Sequence, residues 1–187
     1  MNDDVKQSMI ESAWHDLGSY KISAMPEDKL DWLVDVGSLT RKLIGACSPG
    51  QFRVNLLSQN WARPLPSESK VLNMRRGESA LIREVQLFCN QTPWVFARTV
   101  IPVSSFSGKA RRLAYLRNKP LGALLFSDPT TIRENMQISK LLPGNFLWVK
   151  ASEGLLKQPE ELWGRRTLFY YAHKPLLVNE IFLPDIK

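Results

Sequence analysis

Two alternating runs separated by a four-residue connection constrain this chain most. Residues 79–89 (SALIREVQLFC) and 94–101 (WVFARTVI) read as strands, and Asn90-Gln91-Thr92-Pro93 between them leaves room only for a hairpin. Residues 166–172 (RTLFYYA) and 176–183 (LLVNEIFL), joined at His173-Lys174-Pro175, repeat the arrangement, and residues 51–58 (QFRVNLLS) alternate in the same way. A loop rich in Pro and Ser follows from Arg63 to Ser69.

Helical signals fall between these strands. Pro26, Glu27 and Asp28 suit a helix first turn, with Leu30, Leu33 and Val34 at helical spacing behind them. Gly37-Ser38 ends that helix and caps a second. Lys109–Arg117 reads as a basic helical segment, and Lys119-Pro120 opens a short helix in PLGALLF. Residues 131–138 alternate through Ile132, Met136 and Ile138 but also fit a helix. Hairpins with helices grouped between them predict an α+β domain, an antiparallel sheet carrying short helices. The 187 residues, 44% of them apolar, suit a single domain over 1–187 with a sizeable core. Within it residues 140–162, punctuated by Pro143-Gly144, Gly154 and Pro159, read as an insertion.

Charge narrows the function classes. Lys and Arg number 25 against 18 Asp and Glu, a net +7. The basic residues occur as scattered pairs (Arg41-Lys42, Arg75-Arg76, Arg111-Arg112, Arg165-Arg166), which read as solvated surface groups. Without a helix-turn-helix, zinc-finger or RNP-like pattern, no nucleic-acid partner is expected. No stretch reaches the roughly 18 apolar residues of a membrane span. The acidic opening MNDD lacks the apolar run and cleavage site of a signal peptide, so a cytoplasmic protein with no stable membrane insertion is expected. No heptad or apolar stripe is present, and a monomer is expected. Cys47 and Cys89 cannot build a disulfide framework; a bridge between them is optional, and Cys89 at a strand end reads as a small buried hydrophobe. With His15 and His173 they give no zinc spacing, so no metal is expected.

The most informative residues are charges on apolar strand faces. Residues two apart in a strand share a face. Arg83 therefore points with Leu81, Val85 and Leu87, Arg98 with Trp94, Phe96 and Val100, and Glu180 with Leu176, Val178 and Phe182. An inward guanidinium cannot neutralise itself and needs an anion. If the three share a cavity, two arginines against one glutamate leave a positive charge for a small molecule bearing one or two carboxylates. The alternative is a structural Arg–Glu bridge with the second arginine reaching the rim.

At these residues the chain resembles the bacterial chorismate pyruvate-lyase family. The stretches that carry the resemblance are LDWL followed by Ser38-Leu39-Thr40, LIRE, PWVFARTVIPVSSFSG, KPLGALLF, WGRR and KPLLVNEIFLP, in family order between residues 30 and 184. The resemblance implies a six-stranded antiparallel sheet with helical lids over an internal pocket. It implies conversion of chorismate to 4-hydroxybenzoate and pyruvate, the first step of ubiquinone synthesis, with no cofactor. It further implies that Arg83 binds the aromatic carboxylate, that Glu180 meets the ring hydroxyl, and that both take part in catalysis. Leu121 matches a lid position, Leu39 falls where the family commonly has Met, and Arg98 is assigned to the pyruvyl carboxylate. The stretch between Ile138 and Trp163 is longer than the family pattern. The same fold resembles the effector-binding domains of some transcription regulators, so the alternative function is a non-catalytic sensor of an aromatic carboxylate.

Overall fold

The computed structural model describes residues 10–187; the signal-peptide reading rests partly on residues 1–9, which lie outside them. Seven antiparallel strands form one sheet: β1 (His15–Asp16), β2 (Phe52–Ala62), β3 (Ala80–Cys89), β4 (Thr92–Pro102), β5 (Ile132–Leu141), β6 (Leu162–Tyr171) and β7 (Lys174–Phe182), in spatial order β1-β5-β6-β7-β4-β3-β2. Six strands are long; the seventh is the two-residue β1 on the edge of β5. The expected α+β architecture is the one observed.

Both hairpins turn on two residues with positive φ, Asn90 and Gln91 (49° and 71°) and Ala172 and His173 (49° and 61°). Positive φ at both central positions gives the turn a twist that matches the flanking strands. The strands are therefore longer than the sequence reading, and Thr92-Pro93 lies in β4 rather than in the turn. Residues 132–141 form β5, which resolves the strand-or-helix ambiguity in favour of the strand.

Short helices cover both faces. The two helices anticipated around Gly37 are α1 (Glu27–Val34) and α2 (Leu39–Ala46), and Ser38 caps the second by accepting the Arg41 N–H. The predicted Arg63–Ser69 loop contains α3 (Pro66–Val71), with Pro66 at its first position and the Glu68 carboxylate accepting the Leu65 N–H. Lys109–Arg117 is mostly a 3₁₀ helix, Gly108–Tyr115, and PLGALLF gives α4 (Leu121–Ser127). Residues 140–162 hold the end of β5, α5 (Phe146–Ser152) and a loop to β6. Leu147 and Ala151 of α5 pack on Phe96, Leu141 and Ile181, so the segment covers one face of the sheet. The other face carries α1 and α2, whose Trp32, Leu33, Leu39 and Leu43 bury against Val85, Leu87, Val95 and Phe182. No helix among the described residues is long and apolar enough to cross a membrane.

Cys89 is not a free buried hydrophobe but is bonded to Cys47, 42 residues earlier, with their Cα atoms 5.4 Å apart. The bond fastens the end of α2 to the end of β3. Closing a loop of this length restricts the unfolded chain, typically by about 2–4 kcal/mol. Reduction under native conditions is therefore expected to lower the urea midpoint, and Cys89→Ser to lower it equally while abolishing its dependence on reductant.

Candidate active site

Beneath α2 and α4 the sheet carries a narrow, partly open cavity. Its floor is the sheet, with Arg83, Val85 and Leu87 from β3, Ala97 and Thr99 from β4, and Val178 and Glu180 from β7. Its roof is Leu39 and Thr40 of α2 with Leu121, Gly122, Leu125 and Phe126 of α4. The lids meet closely: a Cβ on Gly122 would stand 2.7 Å from the Thr40 hydroxyl oxygen.

Four of the five candidate residues line this cavity: Arg83, Glu180, Leu39 and Leu121. Arg83 is buried, yet among the described residues no carboxylate lies within salt-bridge distance of it. Its Nη2 donates to the carbonyls of Arg117 (2.8 Å) and Lys119 (3.0 Å), tying the approach to α4 to the floor, and its buried Nε has no partner. Burial pulls this guanidinium down to about 10, still far enough above neutrality to keep its charge. A cation so placed can receive a carboxylate with little further desolvation.

Glu180 is held from the side. Its Oε2 accepts from Arg165 Nε at 2.6 Å, while Oε1 has no hydrogen-bond partner among the described residues. Arg165 is fully buried, and its Nη1 donates to the carbonyls of Trp32 and Asp35 at the end of α1. Because β4 separates β3 from β7, the backbones carrying Arg83 and Glu180 stand roughly 10 Å apart. That spacing suits a single ring held between a cation and a carboxylate.

Arg98 is the correction. It is not in the cavity but on the opposite face, where Nε and Nη2 meet the two oxygens of Glu68 at 2.9 and 3.1 Å and Nη1 meets Glu84 at 2.7 Å. Glu84 is directly across from Arg98 in the β3–β4 register, whereas Arg83 is across from Thr99. The structural Arg–Glu bridge weighed above therefore describes Arg98, with glutamates other than Glu180. Burial alone would lower this guanidinium, but Glu68 and Glu84 outweigh it and hold it above its ordinary value.

Two arginines read as surface groups belong to the interior. Arg165 and Arg166 are both buried; Arg165 organises Glu180, and Arg166 bonds Gln137 and Ser67 on the far face. The signal was present, since extending the strand back to Trp163 places Arg165 between Trp163 and Phe169 on an alternating face. Arg133 of β5 also lines the cavity; its segment fits both strand and helix, so sequence alone does not assign it a face. His15 and His173 lie outside the cavity lining. Among the described residues no group of three or more His, Cys, Asp and Glu side chains could hold a metal ion.

The chorismate lyase family model matches residues 10–187. A probable chorismate pyruvate-lyase from Nitrosomonas europaea is 41% identical over 175 residues, 94% of this chain and 95% of the relative. Another from Methylococcus capsulatus is 39% identical over 155 residues, 83% and 94% of the two chains. Among solved structures, the effector domain of PhnF from Mycobacterium smegmatis superposes with a TM-score of 0.58 over 81% of this chain and 91% of that one; at 15% identity the likeness is one of fold alone.

Proposed function

This chain belongs to the chorismate lyase family, and from that premise we propose that it converts chorismate to 4-hydroxybenzoate and pyruvate. The observation that carries the proposal is the cavity itself, with an unpaired buried arginine on one side and a half-satisfied glutamate on the other. Chorismate is a dianion with a ring carboxylate, a ring hydroxyl and an enolpyruvyl ether. Breaking the ring–oxygen bond, losing the ring proton beside the hydroxyl and protonating the enolpyruvate methylene gives the two products with all atoms accounted for. Aromatisation drives the reaction, and no electron acceptor or water is consumed.

The protein's work is then positioning and charge stabilisation in a largely dry site. Arg83 receives the ring carboxylate. Glu180 Oε1 accepts the hydrogen bond of the ring hydroxyl and assists the proton transfer, while Arg165 keeps Oε2 occupied and the carboxylate aimed. Leu39 and Leu121 close over the ring and exclude water. The aromatic product would feed a quinone ring pathway.

The test is direct: purified protein mixed with chorismate is expected to release 4-hydroxybenzoate and pyruvate in equal amounts, followed by absorbance and a coupled pyruvate assay. Tight binding of both ring compounds without turnover would instead establish a sensor.

A further inference from the structure

The displacement of Arg98 leaves one carboxylate of the proposed substrate without a receptor. The geometry points to Arg133 as the specificity residue that binds the second, departing carboxylate, that of the enolpyruvyl arm. This inference rests on the chorismate reading above.

Three observations support it. Arg133 lines the cavity and is half-buried, with its guanidinium 5.2 Å from the centre of the Phe169 ring. No carboxylate is within salt-bridge distance of it among the described residues. Its hydrogen bonds use one side only. Nη1 donates to the carbonyls of Val36 and Gly37 in the link between α1 and α2, Nε is buried without a partner, and Nη2 has none among the described residues. The Nε–Nη2 edge left over is the one that grips a carboxylate with two parallel N–H bonds.

Backbone geometry puts it there. β5 and β6 slip by one residue between Glu134 and Met136, and the extra residue, Asn135, has φ 40°. Asn is among the few non-glycine residues that adopt this conformation readily. With the register that holds from Met136 to Leu141, position 133 would face away from Arg165 and Ile138. The bulge restores it to their face, opposite Phe169. A bulge that re-aims one side chain at a cavity is a common device beside a binding site.

Charge agrees. Glu180 is already paired with Arg165, which leaves Arg83 and Arg133 as two lining cations with no carboxylate in salt-bridge distance among the described residues, one for each carboxylate of a dicarboxylate. Asp35, the other acid near Arg133, accepts the Gly37 N–H at 3.0 Å and does not line the cavity. Arg165 cannot serve as the receptor, because its Nε is committed to Glu180 and it is absent from the cavity wall. Arg133 thus holds the arm that leaves, through a guanidinium that also holds the lid link.

The test separates the two carboxylates. Arg133→Gln is expected to lower kcat/KM for chorismate at least 30-fold while changing the calorimetric Kd for 4-hydroxybenzoate less than threefold, and Arg133→Lys to recover part of the loss. Arg83→Gln, by contrast, should weaken both ligands. Equal weakening of both by Arg133→Gln, or no weakening of either, overturns the inference. Circular dichroism checks folding, and the lysine variant carries the same comparison if the glutamine variant misfolds. Wild-type protein that binds 4-hydroxybenzoate but never turns over chorismate overturns the proposed function instead, a result that appears before any variant is made.

Discussion

Arg83→Met is expected to lower kcat/KM for chorismate by at least about 10³-fold while leaving the unfolding free energy within about 1 kcal/mol of wild type. The loss of activity follows from what the substrate would meet. A carboxylate delivered to a cavity floored by Val85, Leu87, Ala97 and Val178 would have shed its water and found no cation. Removing one partner of a desolvated charge pair costs about 2–5 kcal/mol, and about 4 kcal/mol is a thousandfold in rate. The near-neutral stability follows from the free protein. Burial lowers this guanidinium from its ordinary value to about 10, so folding disfavours its charged form at neutral pH, and methionine of similar length removes that penalty. Against this stands the loss of two hydrogen bonds to the carbonyls of Arg117 and Lys119, each worth about 1 kcal/mol. The opposing effects nearly cancel. Steady-state assay and urea denaturation on one preparation measure both; activity lost only in proportion to stability would make Arg83 a structural residue.

Which charges face the cavity was only half legible in the sequence, and the reason is the strand bulges. Alternation within a strand correctly grouped Arg83 with Leu81 and Val85, and Glu180 with Val178 and Phe182. It also correctly grouped Arg98 with Phe96 and Val100. What alternation cannot say is which face of one strand matches which face of the next, because that depends on register. Next to the turn Cys89 pairs with Thr92 and Phe88 with Pro93, a register that would continue to put Arg83 across from Arg98. The ladder slips between Leu87 and Phe88, with Trp94 as the extra residue on β4, and beyond it Arg83 pairs with Thr99 and Arg98 with Glu84. One inserted residue moves a strand's side chains to the other face. The bulge at Asn135 does the reverse for Arg133. Pro93 beside the first reads equally well as part of the turn, and no glycine or proline marks the second, so the sequence signals neither change of face. The lids were easier, since Gly37-Ser38 and Lys119-Pro120 state their helix starts locally. The Cys47–Cys89 bond was open because two cysteines 42 residues apart carry no geometric signal until the sheet and α2 are placed.

The second large effect belongs to Arg98, and its signature should be the opposite of that of Arg83. Arg98→Met is expected to destabilise the protein by about 3–5 kcal/mol while leaving KM for chorismate in the folded fraction unchanged. Arg98 neutralises two buried glutamates from different elements, Glu68 of α3 and Glu84 of β3. Asn179 of β7 donates to Glu68 at 3.0 Å, and Ser58 of β2 donates to Glu84 at 3.0 Å, so the cluster pins α3 to four strands. With the guanidinium gone, two carboxylates remain in an interior lined by Ile82, Val100 and Leu177, with too few donors between them. Burying an unpaired charge is what makes such truncations costly, far more than the net worth of the intact pair. It follows that neutralising the acids should rescue the variant: Glu68→Gln and Glu84→Gln, each destabilising beside an intact Arg98, are expected to be less so, or stabilising, when combined with Arg98→Met. A double-mutant cycle in urea measures this coupling, expected at about 1–3 kcal/mol. If Arg98→Met instead kept wild-type stability and lost turnover, the far face of the sheet would have to reach the chemistry, and the separation of the arginines by the Trp94 bulge would be wrong.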